Sequence, residues 1–267
     1  MTHVTDLERE YSPSSRVGGS AEPFIQDYAV RSRAAEARLA AEGREITLLH
    51  GGTRLVVGEA GAPLLVFVHG GYWQALSAAD SMYLAPGAAA RGWSYAAVEY
   101  TLAPDAALGQ IVHEVRGALQ ALDRADGFGP VVLAGHSAGA HLVAMTALMA
   151  DSPLPVAQVV LLSGVYDLRP IVHTTVNDVL HLDAAGAAAL SPTLLPVAAT
   201  PPVLVAIGDN ETDAFHAQSH VFAARLRAAG APVTELIVSG RHHFDIVDDL
   251  VDPTSAVGAL VLGGSPS

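Results

Sequence analysis

The chain has 267 residues, 51% of them hydrophobic and 15% charged, so it holds enough apolar material for a large core and is not a disordered chain. Its formal net charge of −13 disfavours a nucleic-acid partner, and it has no run of about 20 apolar residues that could span a membrane. It contains neither lysine nor cysteine, which excludes lysine Schiff bases, a Walker A lysine, disulfide bonds and thiolate catalysis.

Residues 1–23 are polar and rich in Ser and Gly, and we expect them to form an arm over the body or a frayed end. They show no charged start followed by an apolar stretch, so we predict no signal peptide and a cytoplasmic protein. Residues 24–267 contain no linker and are expected to form a single domain. A small-molecule substrate is the expected partner, no metal or organic cofactor is expected, and a homodimer is compatible with these features.

Helical and strand patterns alternate after the arm. A helix over 24–42 precedes a hairpin of two strands, 46–49 and 54–59. Apolar runs predict strands at 63–71, 93–100, 131–137, 156–164, 202–209 and 232–240, and helices over 106–124, 138–150, 215–230 and about 248–262. This alternation is typical of an α/β fold with a mostly parallel central sheet and helices on both faces. The segment 165–200 holds no clear strand and is expected to form a small insertion or cap.

A G-x-S-x-G motif, GHSAG at 135–139, joins a predicted strand to a predicted helix. Serine in such a strand-to-helix turn is typical of a hydrolase nucleophile, and the positive end of the helix favours developing negative charge. The alternative is an ordinary turn rich in Gly and Ser. Because both flanking elements are in place, we predict that Ser137 is the nucleophile of a serine hydrolase.

A glycine-rich segment, HGGYW at 69–73, follows the predicted strand 63–68. Acyl transfer passes through an oxyanion that needs N–H donors, and we expect them from Gly71, Tyr72 and Ala138. A tight turn at the glycine pair is the alternative. The side chains of Tyr72 and Trp73 are candidates for binding an aryl group, with core packing as the alternative for Trp73. The His69 side chain is expected to brace the loop.

A serine nucleophile needs a general base and an acid that orients it, and both candidates follow Ser137 in the chain. His242 or His243, just beyond the last strand, would be the base. Three carboxylates after the strand 202–207 compete as the acid, namely Asp209, Glu211 and Asp213. We prefer Glu211 for its position in the turn.

Six segments together resemble one branch of a known superfamily: HGGYW at 69–73, YTLAP at 100–104, GHSAGAHL at 135–142, SGVYDLRP at 163–170, GDNET at 208–212 and HFD at 243–245. The chain resembles the arylformamidase (kynurenine formamidase) branch of the α/β-hydrolases, near the hormone-sensitive-lipase-like esterases. The resemblance implies the α/β-hydrolase fold and hydrolysis of an N-formyl aryl amine such as N-formylkynurenine. It also implies Ser137 as nucleophile, Glu211 as acid and His243 as base, although eukaryotic members carry Asp at the acid position. A carboxylesterase of broad specificity with the same triad is the main alternative, and a catalytically inactive binding protein is another.

Overall fold

The computed structural model describes residues 4–125, 127–149, 152–199 and 201–263. Within these residues the strands are β1 (Ile46–Leu48), β2 (Arg54–Val56), β3 (Leu64–Val68), β4 (Ser94–Val98), β5 (Val131–His136), β6 (Gln158–Leu162), β7 (Val203–Asn210) and β8 (Val233–His242). The α-helices are α1 (Val4–Glu10), α2 (Glu22–Ala41), α3 (Ala85–Ala89), α4 (Leu108–Ala125), α5 (Ala138–Ala147), α6 (Asn177–Leu180), α7 (Ala184–Ala189), α8 (Asp213–Ala228) and α9 (Ala256–Leu262). Shorter 3₁₀ helices lie at Pro13–Arg16, His50–Gly52, Ala79–Leu84, Pro170–His173, Pro192–Leu194 and Ile246–Val251.

The strands form one sheet in the order β1-β2-β4-β3-β5-β6-β7-β8. β2 pairs antiparallel with both β1 and β4, and the remaining neighbours are parallel. The predicted α/β fold with a mostly parallel sheet is therefore confirmed. Because the parallel strands share a direction, the loops that follow β3, β5, β7 and β8 all meet at one edge of the sheet.

Helices cover both faces of the sheet, as the continuous apolar strands require. Alternate residues of β3 enter two different buried clusters, since successive side chains of a strand point to opposite faces. One cluster includes Leu64 and Val66 and packs against α4, α5 and α8. The other includes Leu65 and Phe67 and packs against α3 and α9. The loops at the sheet edge consequently rest on a rigid, doubly covered scaffold.

Apart from shifts of a few residues at helix ends, one predicted helix is split and one helical stretch is new. The last predicted helix, about 248–262, is instead a 3₁₀ helix followed by α9, because Pro253 disfavours helical backbone at the residue before it. The new helix starts where the Ser255 side chain accepts a hydrogen bond from the Gly258 N–H at 2.9 Å. The helical stretch from Ala79 to Ala89, before β4, was not predicted.

The predicted arm, whose first three residues lie outside the described residues, contains α1 and the 3₁₀ helix Pro13–Arg16. Its polar sequence showed no helical periodicity. α1 contacts the 3₁₀ helix Pro170–His173 and α8, so it lies against the insertion and the body. The predicted insertion contains, up to residue 199, α6, α7 and two 3₁₀ helices and no strand. No helix in the described part of the chain has the length and apolar character needed to cross a bilayer.

Candidate active site

Ser137 lies at the junction of β5 and α5 with φ 55° and ψ −120°. Such positive φ values are uncommon for residues other than glycine and mark local strain. The backbone N–H of Ser137 donates to the Leu162 carbonyl oxygen at 2.8 Å, which ties the turn to β6. The residue is only 3% exposed and lines a cavity at the carboxyl edge of the sheet. The turn thus has the strand-to-helix geometry that the motif predicted.

The second glycine of the motif allows α5 to approach β3 closely. A methyl group at Gly139 would lie 2.0 Å from the Val68 carbonyl oxygen, far inside the closest contacts that carbon atoms make. At Gly135 it would lie 2.4 Å from the carbonyl oxygen of Gly139. Both positions therefore require glycine for the strand, turn and helix to fit together.

The loop after β3 has an unusual backbone that brings N–H groups to the same cavity. Gly71, Tyr72 and Trp73 have φ values of 94°, 51° and 61°. A methyl group at Gly71 would meet the Ala75 carbonyl oxygen at 2.2 Å, so this position also requires glycine. Within the described residues, the N–H groups of Gly71, Tyr72 and Ala138 donate to no acceptor, and Ala138 opens a helix, where N–H groups lack helical partners.

The side chains of Tyr100 and His69 stabilise this loop. The rings of Tyr100 and His69 stack with centroids 4.1 Å apart. The Tyr100 hydroxyl lies within 3.1 Å of the carbonyl oxygens of both His69 and Gly70, and 3.0 Å from His69 Nδ1. Apart from its place in the YTLAP segment, nothing in the sequence drew attention to Tyr100, because its partners are 30 residues away in the chain.

Glu211 and His243 form a buried pair between the loops that follow β7 and β8. Glu211 Oε2 lies 2.8 Å from His243 Nδ1, and the two residues are 2% and 3% exposed. The other carboxylate oxygen accepts hydrogen bonds from Ser163 Oγ at 2.5 Å and from the Gly208 N–H at 2.9 Å. These contacts hold the carboxylate so that it faces the imidazole. Apart from its place in the SGVYDLRP segment, Ser163 was not singled out from the sequence, because only the tertiary fold brings the end of β6 beside Glu211.

The other candidates for the acid and the base lie away from this pair. Asp209 is exposed, and its carboxylate accepts a hydrogen bond from the Gly240 N–H at 3.0 Å, which lowers the pKa of Asp209. Asp213 is an exposed first residue of α8. His242 Nδ1 accepts a hydrogen bond from the Phe244 N–H at 3.1 Å, and the residue does not line the cavity. The structure thus brings Glu211 and His243 together and leaves these three apart.

His136 supports the same histidine through its backbone carbonyl group. Its Nε2 lies 2.7 Å from the His243 carbonyl oxygen, and the two rings have centroids 4.8 Å apart. Burial holds the pKa of His136 well below its ordinary value, so the ring is neutral and Nε2 carries the proton that the carbonyl accepts. His136 therefore fixes the backbone at His243.

A cavity of about 250 Å³ lies beside several of these residues. Its lining includes Ser137, His243, His136, Gly71 and Tyr72, and its outer walls come from the arm and the insertion. A larger cavity of about 660 Å³ lies beside α4 and the end of β4, and none of the predicted site residues lines it. Four of the predicted site residues, Gly71, Tyr72, Ser137 and His243, thus line the smaller cavity.

Trp73 does not reach this cavity, in contrast to its expected role in substrate binding. Its side chain is fully buried and packs edge-on against His141, with ring centroids 5.1 Å apart. The positive φ of Trp73 turns the chain so that the large ring enters the core while Tyr72 stays at the cavity. Of the two aromatic candidates, the structure therefore brings only Tyr72 to the site.

The sheet order and the strained serine between β5 and α5 define the class of the protein, an α/β hydrolase. A family model described as the alpha/beta hydrolase fold matches residues 65–245. Kynurenine formamidase from Danio rerio is 34% identical over 210 residues, covering 75% of this chain and 72% of the relative. The enzyme of the same name from Salmo salar is 32% identical over 282 residues, covering 96% and 95%. The chain belongs to the kynurenine formamidase branch of the α/β hydrolases, as the resemblance implied, and it is a hydrolase.

Two solved structures share the fold of this chain. A protein described as a candidate thioesterase from Silicibacter sp. TM1040 superimposes with a TM-score of 0.83 at 31% identity, covering 96% of this chain and 98% of that one. An esterase from Pyrobaculum calidifontis gives a TM-score of 0.70 at 20% identity, covering 97% and 94%. The second likeness concerns the fold alone.

Proposed function

We propose that this protein is a serine hydrolase that cleaves aryl formamides of the N-formylkynurenine type through a formyl-enzyme intermediate. The observation that carries the proposal is the buried Glu211–His243 pair in contact with the cavity that Ser137 lines. The relatives named kynurenine formamidase support the formamide as the scissile group.

In the proposed reaction, His243 accepts the proton of the Ser137 hydroxyl as its oxygen attacks the formyl carbon. Because Glu211 holds Nδ1, the nitrogen that accepts this proton is Nε2. The N–H groups of Gly71, Tyr72 and Ala138 would bind the oxyanion. His243 then donates the proton to the departing aryl amine, and the carbon–nitrogen bond breaks.

The second half of the reaction releases the formyl group. Water gives a proton to His243 as its oxygen attacks the formyl ester on Ser137. Collapse of the new oxyanion breaks the ester bond, and His243 returns the proton to the serine oxygen. The products are formate and the free aryl amine. Glu211 remains a carboxylate throughout and stabilises the protonated imidazole.

A substrate panel tests the proposal, with kcat/KM measured for N-formylkynurenine, formanilide and p-nitrophenyl acetate. We expect the formamides to be turned over faster than the ester and Ser137→Ala to abolish turnover of all three. A fluorophosphonate probe should label the wild type and the Ser14→Ala control, whose serine lines the same cavity, but not Ser137→Ala.

Two outcomes would contradict the proposal. A clearly higher kcat/KM for the ester would indicate that the protein is a carboxylesterase with the same catalytic residues and not a formamidase. Failure of the probe to react with Ser137 would indicate a hydrolase fold that does not use this serine.

A further inference from the structure

The arm forms one wall of the cavity and is held in place from two sides. The Tyr72 hydroxyl donates to the Tyr11 carbonyl oxygen at 2.6 Å, which joins the arm to the loop after β3. The Thr212 hydroxyl donates to the Glu10 carbonyl oxygen at 2.6 Å, which joins it to the loop after β7. The arm therefore bridges two of the loops that carry the proposed catalytic groups, and its side chains can contact a bound substrate.

Glu8 presents a carboxylate to this cavity. Its Oε2 accepts a hydrogen bond from the Thr175 N–H at 2.9 Å, and its Oε1 accepts one from the Thr175 hydroxyl. A carboxylate has about four acceptor positions, so roughly two remain for a ligand. These bonds also hold the carboxylate between the arm and the insertion, where it lines the cavity together with Ser137.

The charge of Glu8 has no counter-ion nearby. In the described part of the chain, no arginine lies within 4.0 Å of its carboxylate, and it is the one acidic residue among those lining the cavity. No arginine lines the cavity either, and the neighbouring walls include the apolar side chains of Ile25, Leu76 and Val176. A ligand that supplies a positive charge would therefore complete this site, whereas an anionic one would be repelled.

We propose that Glu8 binds a protonated primary amine of the substrate. This inference rests on the proposed function and refines its substrate class to aryl formamides with an ammonium group on a short chain, in preference to neutral or anionic ones. N-formylkynurenine has such a group and, on the same carbon, a carboxylate that must point away from Glu8. Formanilide has neither group, and N-formylanthranilate has only a carboxylate. The cavity of about 250 Å³ lies just below the usual range of ligand pockets, roughly 300–1,000 Å³, so it suits one ring with a short chain.

Kinetics of Glu8→Gln with paired substrates test the inference. We expect the ratio of kcat/KM for N-formylkynurenine to that for formanilide to fall about tenfold, mainly through KM, because one charge-assisted contact is lost. The control is Glu10→Gln, which removes a carboxylate from the same helix at a position that does not line the cavity. We expect it to leave the ratio unchanged. Thr175→Val, which removes a hydroxyl contact and keeps the Glu8 charge, should change the ratio less than Glu8→Gln does.

A ratio that is unchanged in Glu8→Gln, whether kcat/KM falls equally for both substrates or for neither, would overturn the role of Glu8. Wild-type protein that hydrolyses neither formamide would instead overturn the proposed function. Binding of N-formylkynurenine to the Ser137→Ala protein is measured by calorimetry with and without Glu8→Gln. Because binding needs no turnover, this measurement tests the role of Glu8 separately from the proposed function. A Kd that does not rise on loss of the carboxylate contradicts the inference.

Discussion

Replacing Glu211 by glutamine should remove activity while leaving the fold in place. The Gly208 N–H can only donate a hydrogen bond, so the amide oxygen must take the position of Oε1, which accepts that bond at 2.9 Å. The amide nitrogen then faces His243 Nδ1, now 2.8 Å from Oε2. Nδ1 must accept this bond, and the ring proton moves to Nε2. The nitrogen needed as a base is then protonated.

The expected loss follows from that change of tautomer. Displacing the histidine proton in a serine hydrolase lowers kcat by roughly 10³–10⁴-fold, or about 4–5 kcal/mol of barrier. The substitution is isosteric and preserves the bonds from Ser163 and Gly208, so the free energy of unfolding should fall by only about 1–3 kcal/mol for the lost charge-assisted bond. Both quantities are measured on the same protein, by kcat/KM with N-formylkynurenine and by urea unfolding.

Asp209→Asn is the matched control, because Asp209 lies near the end of β7, two residues before Glu211, but is exposed and bonded to the Gly240 N–H. Its kcat/KM should stay within about twofold of the wild type, as expected for an exposed side chain outside the cavity. The reasoning would be refuted if Asp209→Asn lost activity, or if folded Glu211→Gln retained more than about a tenth of it.

Three further predictions concern stability. Gly139→Ala, whose methyl group would lie 2.0 Å from a carbonyl oxygen of β3, should lower the free energy of unfolding by about 3 kcal/mol. Gly117→Ala, in open space on α4, should raise it by about 0.5–1 kcal/mol. Urea unfolding that shows a change of the same sign for both variants would contradict this prediction. Burial lowers the pKa of His141 to about 4 from its ordinary 6.5, so between pH 6.5 and 4 the unfolded chain takes up a proton that the folded chain does not. Stability should therefore fall by about 3 kcal/mol over that interval, and a slope unchanged in His141→Gln would refute the assignment. Tyr72→Phe removes the bond to the Tyr11 carbonyl oxygen and should cost about 1 kcal/mol in thermal unfolding, and no change in Tm would show that the contact is unimportant.

The sequence alone was sufficient for the features whose signals are local. The α/β fold could be predicted because each strand and helix is specified by its own run of residues. The position of Ser137 could be predicted for the same reason, since the strand, the glycines and the helix that place it are consecutive in the chain. The motif also marks Gly139, although the contact that requires glycine there is with the Val68 carbonyl oxygen of the distant strand β3.

Tertiary structure decided the features that join distant segments. Asp209, Glu211 and Asp213 are nearly equivalent in sequence, and only the packing of the loops after β6, β7 and β8 brings Glu211 to His243 and Ser163. The burial of Trp73 depends on backbone angles that its sequence neighbours do not reveal. The polar arm showed no periodicity, yet it forms a wall of the cavity. Hydrogen bonds to loops about 60 and 200 residues away hold it there, together with the packing of Leu7 and Tyr11 against the core.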